Sequence, residues 1–203
     1  MIRIRNISHH AEVVKVSLGT VRLPHQNHIR IYTGDVATST TPVVLETILG
    51  SCVAVCLFDP VLCAGGMNHI LLPGNPNDPR STRFGVNAME LLINELMKQG
   101  GDRSRFIAKA FGGASIVEQM HALSIGSENA RFVREFLATE KIPLRAQRLG
   151  GTQPVHLNFR TDTGKATIHT VDGSDLHNVV WEEETYRRTH SADKYSSGEI
   201  TIF

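Results

Sequence analysis

The chain has 203 residues and a formal net charge of +1. That length suits one domain with a full hydrophobic core. The balanced charge gives no field for nucleic acid, and no apolar run approaches the roughly 18 residues of a membrane span. The basic start Met1-Ile2-Arg3-Ile4-Arg5-Asn6 is followed by no apolar run of signal-peptide length, so a cytoplasmic protein is expected. Three clustered cysteines, Cys52, Cys56 and Cys63, do not read as a disulfide framework.

Residues 1–28 read as an irregular extension punctuated by histidines, with Glu12 to Leu18 as either a strand or a short helix. His28 to Thr33 alternates polar and apolar residues, which predicts a half-buried strand broken at Gly34-Asp35. Val43-Val44-Leu45 opens a β-prone stretch that runs into a Gly50-Ser51 turn. Val53 to Phe58 is apolar on both faces and predicts a strand buried on both sides. Asp59-Pro60-Val61-Leu62 is a tight turn, and Met67 to Leu72 the return strand. Phe84 to Gln99 has helical spacing and stops at Gly100-Gly101. Arg105 to Phe111 is a strand ended by Gly112-Gly113. Ser127 reads as the N-cap of a second helix through about Lys141. Leu144 to Arg148, Val155 to Arg160 and Ala166 to Val171 are strands, the last two joined by a turn at Thr161-Asp162-Thr163-Gly164. After Asp172-Gly173 the pattern fades into a solvated tail with charge runs at Glu182-Glu183-Glu184 and Arg187-Arg188. The expected class is a layered α/β (α+β) sandwich with two principal helices.

Two residues carry chemistry. Cys52 follows the Gly50-Ser51 turn and opens one apolar run; His69 lies in the next. A two-residue loop between Asp59 and Leu62 would set Cys52 directly opposite His69, with Cβ atoms about 5 Å apart on one face. A shift of one residue would part them. A Gly-Ser turn would also leave the cysteine exposed, with backbone N–H groups free. An imidazole beside a thiol favours the thiolate, the nucleophilic form. The bland alternative is a buried apolar cysteine and a structural strand histidine. Cys56 and Cys63 read as structural.

A zinc site would use Cys52, Cys56, Cys63 and His69. The strand reading opposes it. Cys52 and Cys56 would lie about 13 Å apart along an extended strand. Two sulfurs on one zinc lie within about 5 Å of each other.

The run Leu49-Gly50-Ser51-Cys52-Val53-Ala54-Val55-Cys56-Leu57-Phe58-Asp59-Pro60, with Gly66-Met67-Asn68-His69-Ile70-Leu71-Leu72-Pro73, resembles the chemoreceptor glutamine deamidase family CheD. Tyr32-Thr33-Gly34-Asp35-Val36-Ala37, Asn87 to Ile93, Phe111-Gly112-Gly113-Ala114-Ser115, Ile125-Gly126-Ser127-Glu128-Asn129 and Leu149-Gly150-Gly151 agree with it in order. The resemblance spans residues 29–171 and leaves 1–28 and 172–203 as extensions. It implies a layered sandwich related to bacterial toxins that deamidate glutamine. It implies Cys52 as nucleophile, His69 as base and a threonine, for which Thr47 is the nearest candidate, as third member. Backbone N–H groups near Gly50 and Ser51 would stabilise the oxyanion. Arg148 and His156 depart from the family pattern, which has an acidic residue before the glycine pair and a basic one after it.

The implied activity is that of a protein-glutamine glutaminase. It would convert glutamine side chains on the cytoplasmic helical domain of chemotaxis receptors to glutamate, and could also hydrolyse glutamyl methyl esters. No cofactor or metal is called for. The loop from Pro73 to Thr82 is the expected receptor-facing surface. The competing reading is a non-catalytic adaptor that binds receptors or a CheC-type phosphatase.

Overall fold

In the computed structural model the described residues are 2–6, 14–16, 28–71, 79–115, 125–171 and 185. Eleven strands, two α-helices and one turn of 3-10 helix at Arg103–Arg105 are defined among them. In chain order the strands are β1 (Ile2–Asn6), β2 (Val14–Val16), β3 (His28–Arg30), β4 (Asp35–Ser39), β5 (Val44–Leu49), β6 (Val53–Asp59), β7 (Ala64–Ile70), β8 (Ile107–Gly112), β9 (Leu144–Leu149), β10 (Val155–Arg160) and β11 (Ala166–Thr170). The helices are α1 (Pro79–Met97) and α2 (Ile125–Thr139). One sheet has the order β2-β1-β4-β7-β6-β8-β9, the other β11-β10-β5-β3.

The central strand explains the layering. Every residue of β6 is buried. Val53, Val55 and Leu57 point one way, into a core with Met89, Leu92 and Ile93 of α1 and Val133 and Leu137 of α2. Ala54, Cys56 and Phe58 point the other way, toward Leu45, Leu49, Leu157 and Phe159 of the small sheet. Alternation along one strand therefore joins helices, large sheet and small sheet into the expected α+β sandwich.

The β6–β7 hairpin departs from the expected register. Asp59 pairs with Ala64 and Ala54 with His69, so the loop holds four residues, not two. The buried Asp59 carboxylate builds that loop. One oxygen accepts from the N–H groups of Val61 and Leu62, at 2.9 and 3.1 Å. The other accepts from the N–H of Asp102 at 3.0 Å and from Nη2 of Arg105 at 2.7 Å. The Arg105 side chain holds the carboxyl well below the usual carboxylate range. Cys63 closes the loop in the left-handed region, at φ 52.

Other boundaries move for local reasons. The half-buried strand expected over His28 to Thr33 shortens to β3, because Ile31 to Gly34 leaves the small sheet for the large one. The N–H of Ile31 donates to the Glu46 carbonyl on β5, and that of Gly34 to the His69 carbonyl on β7. The strand β4 follows directly, where none was expected. The start of the chain, read as lying outside the core, contributes β1 against β4 and buries Ile2. Helix α2 begins two residues before Ser127, so that serine is not its cap. Helix α1 ends as expected, with the N–H of Gly100 on the Met97 carbonyl and Gly100 at φ 100. The β10–β11 hairpin forms around the Thr161–Gly164 turn. The histidines at 9 and 10 and the charge runs at 182–184 and 187–188 lie outside the described residues.

Candidate active site

The site lies between the two sheets, where the Ile31–Gly34 crossing passes over β5 and β7. Cys52 sits just before β6, on the same face as Ala54 and Cys56. His69 on β7 opposes Ala54 rather than Cys52. The offset from the expected register is two residues, an even number, so sulfur and imidazole still share a face. Thr47 lies between Leu45 and Leu49 on β5, on the inward face of the small sheet.

The hydrogen bonds form a chain. Thr47 Oγ1 donates to the Ile31 carbonyl at 2.7 Å. It lies 2.9 Å from Nδ1 of His69. A hydroxyl has one proton, and a carbonyl can only accept. Thr47 therefore accepts from Nδ1–H, which leaves the lone pair of the neutral ring on Nε2. That nitrogen lies 3.3 Å from Oγ1 of Thr33, and the same hydroxyl lies 4.0 Å from Cys52 Sγ.

Thr33 was not singled out as a site residue by sequence. Its place comes from a turn: the Asp35 N–H donates to the Tyr32 carbonyl at 2.9 Å, and Gly34 has φ 88. These are the marks of a type II turn, which needs glycine at its third position. The Asp35 carboxylate accepts the Tyr32 N–H at 3.0 Å and fixes the turn further. Thr33 Oγ1 thereby falls between sulfur and ring. The pattern Thr33-Gly34-Asp35 was the available signal.

Burial is deeper than the Gly-Ser turn suggested. Cys52 is 1% exposed, His69 3% and Thr47 2%. Thr33 is only half-buried. Desolvation pulls the His69 pKa down to about 4, against the smaller opposing pull of a backbone hydrogen bond with Ile31. The ring is thus neutral at pH 7, with its Nε2 lone pair able to take a proton.

The turn that carries Cys52 is fastened on its carbonyl side. The N–H of Gly113 donates to the Cys52 carbonyl at 2.7 Å, and that of Ala114 to the Gly50 carbonyl at 2.8 Å. Asn129 Nδ2 on α2 donates to the Ser51 carbonyl at 2.7 Å. Gly112 makes this approach feasible. It has φ 105, and a Cβ there would stand 2.2 Å from the Cys52 carbonyl oxygen. Cys56 faces the inter-sheet core, where burial pushes its thiol up, while Cys63 is exposed in the loop. Among the described residues no group of three or more His, Cys, Asp or Glu is placed to hold a metal ion.

A family model described as CheD chemotactic sensory transduction matches residues 71–170. "Probable chemoreceptor glutamine deamidase CheD 1" of Burkholderia thailandensis is 45% identical over 149 residues, 71% of this chain and 64% of that protein. "Probable chemoreceptor glutamine deamidase CheD" of Burkholderia mallei and of Burkholderia pseudomallei match with the same identity and coverage. The likeness throughout is to CheD proteins. The chain spans 64%, just under two thirds, of the length of these relatives. Among solved structures, the hypothetical protein YfiH of Bacillus licheniformis covers 54% of this chain and 48% of its own, at TM-score 0.36 and 16% identity, too slight a likeness to carry an argument.

Of the residues for which the CheD resemblance implies a role, Cys52, His69 and Thr47 lie in one hydrogen-bonded neighbourhood with Thr33. The two departures from the CheD pattern lie elsewhere. Arg148 is exposed on β9. His156 lies on the outer face of the small sheet, 4.0 Å from the Glu46 carboxylate, which His28 also meets at 3.0 Å. Of the expected receptor-facing loop, residues 79–82 belong to α1 and the preceding ones, 73–78, lie outside the described residues. No helix among the described residues is long and apolar enough to cross a membrane.

Proposed function

We propose that residues 29–171 form a cysteine hydrolase that deamidates glutamine side chains on the cytoplasmic helical domain of chemotaxis receptors. The observation that carries this reading is the run of contacts from Ile31 through Thr47, His69 and Thr33 to Cys52. It holds an imidazole in the tautomer a general base needs, with one hydroxyl in reach of both the ring and the thiol it would deprotonate.

The Cys52 thiol gives up its proton toward Nε2 as sulfur attacks the carboxamide carbon. The C–N bond breaks and His69 returns the proton to the departing ammonia. Water, deprotonated by the same nitrogen, then opens the thioester, leaving glutamate and the free thiol. Backbone N–H groups near this turn would stabilise the oxyanion; its carbonyls are held on the side of β8 and α2. Thr47 orients the ring. A glutamyl methyl ester passes through the same acyl intermediate, so it is a second substrate class. The chemistry uses side chains and water alone, and on this reading the protein works in the cytoplasm, beside the receptor domain it would act on.

The deciding experiment mixes purified protein with a receptor cytoplasmic fragment and assays ammonia. Release is expected from the parent chain and none from Cys52→Ala, with the fragment still bound. The burial of Cys52 at 1% favours a second reading, a non-catalytic adaptor for receptors or for a CheC-type phosphatase. That reading requires binding without any ammonia release, unchanged by Cys52→Ala.

A further inference from the structure

We infer that the Thr33 hydroxyl is a proton bridge between the Cys52 thiol and Nε2 of His69. Three observations meet at this side chain. Its oxygen lies within reach of both reacting atoms, at 4.0 Å from sulfur and 3.3 Å from nitrogen. The hydrogen-bond chain through Thr47 leaves Nε2 as an acceptor, so Thr33 Oγ1–H donates to it and its own lone pairs face the thiol. The segment that carries it is held from both sheets, by the Ile31 N–H on the Glu46 carbonyl and the Gly34 N–H on the His69 carbonyl.

The step balances without a co-reactant. The S–H bond of Cys52 breaks and its proton goes to Thr33 Oγ1. The proton that Oγ1 carried goes to Nε2. The products are a thiolate, an imidazolium and an unchanged threonine. In reverse, the imidazolium proton returns through the same oxygen. The bridge also explains why ring and thiol need not stand directly opposite on the β6–β7 ladder, where Ala54 takes the place across from His69.

This inference rests on the deamidase reading for one of its two readouts only. The first readout is the rate of Cys52 alkylation by iodoacetamide against pH, followed by the mass of the peptide that carries Cys52. Thr33→Val keeps the shape and removes the hydroxyl; Thr33→Ser keeps the hydroxyl. At pH 7, Thr33→Val is expected to slow alkylation by about 10-fold or more and to move the rate–pH midpoint upward. Thr33→Ser is expected to retain the parent profile. The second readout is ammonia release from the receptor fragment, where Thr33→Val lowers kcat with KM unchanged. Alkylation of Thr33→Val at the parent rate and midpoint overturns the bridge. A Thr33→Ser profile as impaired as that of Thr33→Val also overturns it, since shape and not the hydroxyl would then matter. Should the alkylation pattern hold while no protein releases ammonia, the deamidase reading fails and the bridge stands.

Discussion

Thr47 accepts the Nδ1 proton of His69 because its own proton is committed to the Ile31 carbonyl, 2.7 Å away. One threonine thus sets the tautomer of a buried ring. Thr47→Val removes the acceptor and leaves a buried N–H unpaired, at a cost of about 1–3 kcal/mol. Ammonia release is expected to fall about 10²- to 10³-fold, while Thr47→Ser retains most of it. Steady-state kinetics on the receptor fragment check this, and an unimpaired Thr47→Val would remove threonine from the mechanism.

Acid should loosen the fold through His69. Its pKa lies near 4 in the native state and at 6.5 in a solvated chain. Between those values the unfolded state binds the proton and the native state does not. Stability therefore rises with pH through this window and is lost as pH falls from about 6.5 to 4, by at most about 3 kcal/mol from this group. Urea unfolding at pH 7, 5 and 4 measures the slope. His69→Gln should flatten it across the same window.

Gly112→Ala should strike the site without touching a reacting group. The new Cβ would meet the Cys52 carbonyl oxygen at 2.2 Å, on a backbone at φ 105 that alanine adopts only with strain. Relief requires displacing the turn that carries Cys52. A loss of about 2–4 kcal/mol in stability, with activity falling further than stability explains, is the expected result. Thermal unfolding beside ammonia release at a temperature where the variant is folded separates the two effects.

Asp59→Ala tests the four-residue loop. It would strip acceptors from Val61, Leu62 and Asp102 and leave Arg105 without its buried partner. A loss of about 2–4 kcal/mol is expected, since Arg105 retains contact with solvent and with Asp102. Denaturant midpoints measure it. A neutral outcome would mean that the loop is held by its packing.

The closed site predicts an order of thiol reactivity. Cys63 is exposed and Cys52 and Cys56 are buried. Cys63 should be alkylated first in the free protein. On the proposed function, receptor fragment should then speed the reaction of Cys52 and leave Cys56 inert, because only the former would open to a substrate. Peptide masses over a time course give the order, and a Cys52 that reacts as fast as Cys63 without receptor would contradict the closed arrangement.

The parts of this fold that read directly from sequence are those with local causes. The double-sided apolar run of β6, the helical spacing of α1 and the glycines that end it each depend on neighbours within a few residues. The shared face of Cys52 and His69 was legible for a subtler reason. The true loop differs from the expected one by an even step, and side chains in a strand alternate with period two. What could not be read was non-local. β1 is paired by β4 through contacts its own composition does not announce, and β4 is short and rich in small polar residues. Thr33 reaches the site only because its turn spans two sheets. Whether Cys52 would be open or covered depended on how those sheets close over it, which no spacing encodes.

The three carbonyls of Gly50, Ser51 and Cys52 are all anchored to the β8 end and to α2, while the imidazole is oriented from the opposite wall by the small sheet. Sulfur and imidazole ride on neighbouring strands of the large sheet, but the groups that fix them come from opposite sides of it, α2 and the β8 end for the turn before β6 and Thr47 of the small sheet for the ring. Their alignment therefore records how helices and small sheet both sit on the large sheet between them.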